Sequence, residues 1–270
     1  MKTRFLAVFA LLLVASCLYA VSNCPYCGYR IKAQTISCPK CLRLKWPYYP
    51  PRTHKAKVIA RTGTDAFIRH PSSQNRAFKA DKNAGADVRG PIGSWGFLTG
   101  LRYLVRFDVE KSFADARVDM ESYKPYRVTL RLVIASQNID QALPIRVYRL
   151  SRPFAEGSGL AGIRSKVPDG CTWQSSAPML PWRLPGGDYY EKPSAAGFMG
   201  YNRERVVQID VTELYKKIFA DYAEVGRFND PGMIIMRDPQ VPGYFTYLNI
   251  YSFEHLPRRQ QVMSPQLFFE

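Results

Sequence analysis

Histidine is scarce in this chain: 3 in 270 residues, and His54, His70 and His255 lie far apart with no nucleophile motif beside any of them. There is no Gly-x-Ser-x-Gly elbow, no His-Glu-x-x-His pair and no phosphate-cradling loop. The familiar hydrolase, zinc-peptidase and nucleotide-binding chemistries need those side chains at those spacings, so none of them is indicated. A glycosidase needs two carboxyl groups flanking one bond, and no acidic pair in the sequence marks itself as such. The Arg-x-Glu-x-Arg and Gln-x-His strands expected of jelly-roll polysaccharide lyases are missing as well. The expectation is therefore a binding protein without catalysis. A lyase or hydrolase built on Tyr247 and His255 is the enzymatic alternative.

Long apolar runs are absent too, apart from one at the start. Phe5 to Tyr19 carries no charge, follows Lys2 and Arg4, and leads into the small residues Ala20-Val21-Ser22. That order is the signature of an export signal spanning residues 1–22, and the run is shorter than the roughly 20 residues a permanent span needs. Val14-Ala15-Ser16-Cys17 also fits a lipobox, so the alternative is a lipoprotein held on the membrane through an acylated Cys17. The expected location is secreted, periplasmic or at the cell surface.

Acid is missing where base is concentrated. Residues 21–57 hold eight Lys and Arg side chains and no Asp or Glu, while residues 58–270 carry a balance of only +6 of the net +16. Such a module suits an anionic neighbour. For an exported protein that neighbour is an acidic polymer or surface rather than nucleic acid.

The basic module also contains four of the 6 cysteines. Cys24-Pro-Tyr-Cys27 and Cys38-Pro-Lys-Cys41 are paired C-x-x-C knuckles, which resemble a zinc ribbon over residues 23–45. Two such turns aim four thiolates at one centre and close a tetrahedral zinc site with no open position for chemistry. Two cross-knuckle disulfides are the other reading, because an exported chain meets an oxidising compartment. Either staple answers the same need, since so short a segment has too little apolar surface to hold itself together. A Pro/aromatic basic linker, residues 46–57, follows.

From residue 58 the pattern is of strands. Val128, Leu130, Leu132 and Ile134 alternate with polar residues, as do Tyr103, Val105, Phe107 and Val109. Further short strands are predicted at Val58–Arg61, Ala66–Arg69, Ile145–Leu150, Arg205–Val211, Met233–Met236, Tyr244–Tyr251 and Gln266–Phe269. One helix is predicted, from an Asp210/Glu213 capping box through Tyr222. The fold class is all-β: a jelly-roll-like antiparallel β-sandwich with one short helix, behind a small zinc-ribbon-like knuckle.

Several of these pieces, in order, resemble the DNRLRE domain family, exported β-sandwich domains related to carbohydrate-binding modules that include alginate binders. They are Thr64-Asp65-Ala66-Phe67-Ile68-Arg69, Leu101 through Val109, Arg127 through Leu132, Val147-Tyr148-Arg149 with Glu156-Gly157, Thr172-Trp173, Pro181-Trp182, Gly186-Gly187-Asp188 and Ile209-Asp210-Val211-Thr212. The resemblance covers residues 58–270 and implies a polysaccharide-binding module. The chain departs from the pattern in a long segment from Phe113 to Tyr123 and in Cys171 beside the tryptophan.

Sugar recognition needs flat aromatic faces and polar groups for hydroxyls. Trp173, Trp182, Tyr189, Tyr190 and Tyr201 crowd one stretch with Arg183 and Asp188, which is expected to be displayed at the margin of the sheets. Trp182 with Tyr189 or Tyr190 is the preferred platform; Trp173 equally fits as packing between sheets. Asp65, Asp108 and Asp188 are candidate oxygen ligands for a structural calcium, although no calcium-loop motif accompanies them. The expected function is polysaccharide binding, of an acidic glycan by charge. The alternative is a structural or adhesive protein that binds other cell-surface proteins.

Overall fold

The computed structural model describes residues 22–23, 30–31, 56–70, 84–95, 100–138, 143–159, 169–199, 205–239, 245–254 and 263–270. The chain divides into two compact units, residues 1–53 with 258–262, and residues 54–257 with 263–270.

In the first unit the described residues form a two-stranded antiparallel ribbon. β1 (Ser22–Asn23) pairs with β2 (Arg30–Ile31) in the register Ser22 to Ile31. In sequence the ribbon brackets Cys24 and Cys27. All four knuckle cysteines, Cys17 and the linker up to residue 55 lie outside the described residues.

The second unit is built from β3 (Val58–Ala60), β4 (Gly63–Arg69), β5 (Arg89–Trp95), β6 (Gly100–Phe107), α1 (Val109–Asp115), β7 (Val128–Asn138) and β8 (Leu143–Arg149). It continues through β9 (Ser175–Ala177), β10 (Leu180–Pro181), β11 (Ala195–Met199), β12 (Val206–Asp210), α2 (Thr212–Val225), β13 (Met233–Arg237), β14 (Phe245–Tyr251) and β15 (Gln266–Phe269). Eleven of these strands join in one antiparallel, curled sheet. β6 lies between β13 and β4, β8 lies between β11 and β13, and β14 links β5 to β7. β7 is the hinge of the curl. Its first half pairs with β12 and β15, and its second half with β14, past a register shift at Asn249/Ile250. A long strand that changes partners along its length turns one sheet into two facing layers. The fold is all-β and sandwich-like, as the alternating rows imply.

The space between the layers is one continuous core. Phe67, Tyr103, Val105, Leu130, Leu132, Ile145, Val147, Ile209, Ile235 and Leu267 all point into it, one face of each strand. α2 closes one side, burying Leu214, Tyr215, Ile218 and Phe219, with Phe219, Phe113 and Tyr123 packed around Phe269. Each such side chain contributes roughly 1.5–3 kcal/mol of transfer free energy, which makes this the main source of stability.

Three local expectations are corrected. Val109 does not end a strand: β6 stops at Phe107, and Val109 and Phe113 bury one face of α1, a second helix whose 7 residues are too few for a visible period. The capping box does not form. The Asp210 carboxylate instead accepts from the Thr212 amide at 2.9 Å, Glu213 pairs with Lys216 at 2.9 Å, and the helix runs on to Val225. β5 reads as loop because Gly90, Pro91 and Gly93 break its pattern, yet it pairs with β14 over its whole length.

Candidate functional site

The alternation that fills the main core leaves a second apolar row on the outside of β4, β6, β8 and β13. Ala66, Ile68, Leu104, Tyr148, Ile234 and Met236 form that row, and Leu150, Phe154, Cys171, Trp173 and Trp182 pack over it. Trp173 and Trp182 supply the cover, at 6% and 5% exposure. The Trp182 indole donates to the Thr172 carbonyl at 3.0 Å, so its polar edge is committed as well. Trp173 is held by two neighbours, with the Arg102 guanidinium 4.6 Å from its ring centre and His70 edge-on at 4.9 Å. Arg102 also donates to the Gly186 carbonyl. Gly186 sits at φ +96, where a Cβ would fall 2.6 Å from Arg102 and 2.7 Å from Trp173, so only glycine passes under this clamp. The two tryptophans are therefore not displayed at the margin. Both indoles present no face to solvent and act as a second core.

The excursion ends by rejoining the sheet. Leu150 bridges to Tyr189, and the Tyr190 amide donates to the Arg149 carbonyl at 3.1 Å. Tyr189 turns inward, 4.8 Å from Tyr148. Tyr190 turns outward and is 50% exposed. Two cations flank its ring, Lys217 at 5.7 Å from α2 and Arg149 at 5.9 Å from β8. Arg149 is held in place by Asp221 at 2.8 Å and the Asn229 carbonyl at 3.2 Å. Strand, helix and loop thus fix a half-exposed tyrosine ring. Of its two cations, Lys217 is exposed, whereas Arg149 is buried and paired with Asp221.

The other predicted residues have different employment. The Asp188 carboxylate accepts from the Arg183 and Leu184 amides at 3.0 and 3.1 Å and pairs with Arg152 at 3.0 Å, making it the lock of a turn. The Arg183 side chain is exposed on that turn. Tyr201 lies outside the described residues, as do His54 and His255. Of the aspartates considered for calcium, Asp65 is buried, Asp108 is exposed at the head of α1 and Asp188 is locked by Arg152. No group of three His, Cys, Asp or Glu side chains among the described residues could hold a metal ion.

A carboxyl cluster lies at the edge strand β4. Asp65 is fully buried, and its Oδ2 accepts from the Tyr103 hydroxyl at 2.7 Å and the Phe253 amide at 2.8 Å. Its own amide donates to Glu156 Oε1 at 2.7 Å. Burial, with the nearby Glu156 and Glu254 carboxyls, pushes Asp65 up to about 8, and burial pushes Glu156 up to about 7. Cys171 lies in the same region, buried, with its thiol pushed up by desolvation. Asp65 has no surface with which to meet a substrate. The cluster works as a clamp that pins β4 to the loop at 156 and the segment at 253.

Sequence reasoning found Tyr190 but missed Lys217 and Arg149 as its neighbours. Only the pairing of residues 149 and 190 across the excursion brings them together, and nothing local in the sequence signals it. Compared with known proteins, the chain matches no family model, and no curated protein matches it. No helix among the described residues is long and apolar enough to cross a membrane.

Proposed function

We propose that the protein is an exported, non-catalytic binder of an acidic polysaccharide. The observation that carries this reading is the half-exposed Tyr190 ring with the exposed Lys217 ammonium 5.7 Å from its centre, held on a rigid scaffold. The exposed part of the tyrosine ring supplies affinity for a sugar ring, and Lys217 selects chains that carry carboxylates or sulfates. The net charge of +16 favours the same ligands at long range. The ordered DNRLRE-like strand motifs support a module of carbohydrate-binding type, and the leader-like residues 1–22 support delivery to the cell surface or beyond it. The four-cysteine module is read as a structural zinc knuckle beside the binding domain.

A glycan screen with the full chain tests this. Binding to uronic-acid or sulfated glycans over neutral ones, lost in Tyr190→Ala, is the expected result. A protein partner captured with no glycan signal would instead establish the adhesive reading. Shortened glycan chains after incubation would establish an enzyme.

A further inference from the structure

The turn that carries Trp182 under the second core presents an apolar surface on its other side. Met179, Leu180 and Leu184 are 97%, 57% and 72% exposed. They project from the β9–β10 hairpin and the turn after it, where Pro178, Pro181 and Pro185 punctuate the chain. Met179 sits at φ 59, a left-handed conformation that a non-glycine residue seldom adopts, and it holds the most exposed side chain at the tip.

The backbone beneath this tip has little hydrogen-bonding capacity left to offer. The prolines have no N–H to give. The Trp182 amide donates to the Gln174 carbonyl at 2.9 Å and the Gly186 amide to the Trp173 carbonyl at 2.6 Å. The Arg183 and Leu184 amides are taken by Asp188. The Leu180 carbonyl accepts from Ser176 and the Pro181 carbonyl from Arg152, each at 3.1 Å. A protein partner rewards free donors and acceptors, whereas a hydrocarbon medium penalises them by several kcal/mol each. Pairing of these amides and carbonyls within the chain lowers the cost of entering the second medium.

Charge points the same way. Between Gly170 and Gly187 the only charged residue is Arg183, which is exposed, and the one carboxylate at the base, Asp188, is neutralised by Arg152 at 3.0 Å. Positive charge at the rim of an exposed apolar tip fits an anionic lipid surface.

We propose that the 178–185 tip is a membrane-surface anchor, with Met179, Leu180 and Leu184 seated among the acyl chains of an anionic bilayer and Arg183 at the headgroups. The tip shares no residue with the Tyr190 face, and the proposal does not depend on the glycan reading.

The test follows Met179 oxidation by dilute peroxide in the full chain, read by peptide mass spectrometry, with phosphatidylcholine vesicles that contain or lack phosphatidylserine. Because the apolar residues 5–19 of the same chain can also enter a bilayer, the readout is placed on the tip itself. Burial of the thioether on anionic vesicles is expected to slow sulfoxide formation by about fivefold or more. Leu180→Ser and Leu184→Ser, with the fold checked by circular dichroism, are expected to lose most of that protection of Met179. A vesicle-bound chain whose Met179 oxidises as fast as in free solution would overturn the proposal. So would undiminished protection of Met179 in both variants. Protection that rises with protein concentration in the absence of lipid would assign the tip to a second copy of the chain and overturn it equally.

Discussion

Replacing Asp65 with asparagine should flatten the dependence of stability on pH. The native carboxyl is buried and titrates at about 8, against 3.8 for an exposed aspartate. Between those values the folded chain keeps a proton that the unfolded chain has released, so stability falls as pH rises through the window. Below about pH 4 both states are protonated and the contribution is fully present. A shift of about four units amounts to on the order of 5 kcal/mol lost by pH 8. Glu156, pushed up to about 7, adds a loss of the same sign between 4.5 and 7. Asparagine retains an oxygen for the Tyr103 hydroxyl and the Phe253 amide but takes up no proton. Urea unfolding of the full chain at pH 4.5, 6 and 8 would be run for both proteins, and the difference between them read, because the other carboxylates and the net positive charge titrate alike in each. The expected result is near-equal stability at pH 4.5 and a variant several kcal/mol more stable at pH 8. Parallel curves would refute a protonated Asp65.

Trp182→Ala removes the centre of the second core and should cost about 3–5 kcal/mol by denaturant unfolding, a loss of stability rather than of a binding face alone. Gly226 ends α2 at φ +70 with open space where a Cβ would stand. Gly226→Ala should therefore cost only the left-handed strain, about 1 kcal/mol, read as a small drop in thermal midpoint. Metal analysis of the purified full chain should find about one zinc per molecule, released by chelator together with four reactive thiols; no metal and no free thiols there would assign the knuckles to disulfides.

Much of the fold is legible because burial follows the alternation of side chains. The β6 and β7 rows point where Tyr103 and Leu130 predict. The same rule places Asp65 on the face of Phe67, so its burial was open to inference from the strand alone. What the pattern hides is two-sided burial. Ala66, Ile68 and Leu104 are apolar on the face that alternation assigns to solvent, and that row is the trace of a second layer. A stretch dense in tryptophan reads as a display surface until that row is matched to it. The Tyr190 face was half legible: an exposed tyrosine in a loop is visible in sequence, but its cations arrive from a strand 41 residues earlier and a helix 27 residues later.

The most direct test of the glycan reading is a calorimetric titration of the full chain with a soluble polyuronate at low and at high salt, beside Tyr190→Ala and Lys217→Gln. The account predicts binding that weakens as salt rises, falls about tenfold or more without the tyrosine, and loses part of its salt dependence without the lysine. Equal affinity for a neutral glucan, or binding that is indifferent to both substitutions, would contradict it.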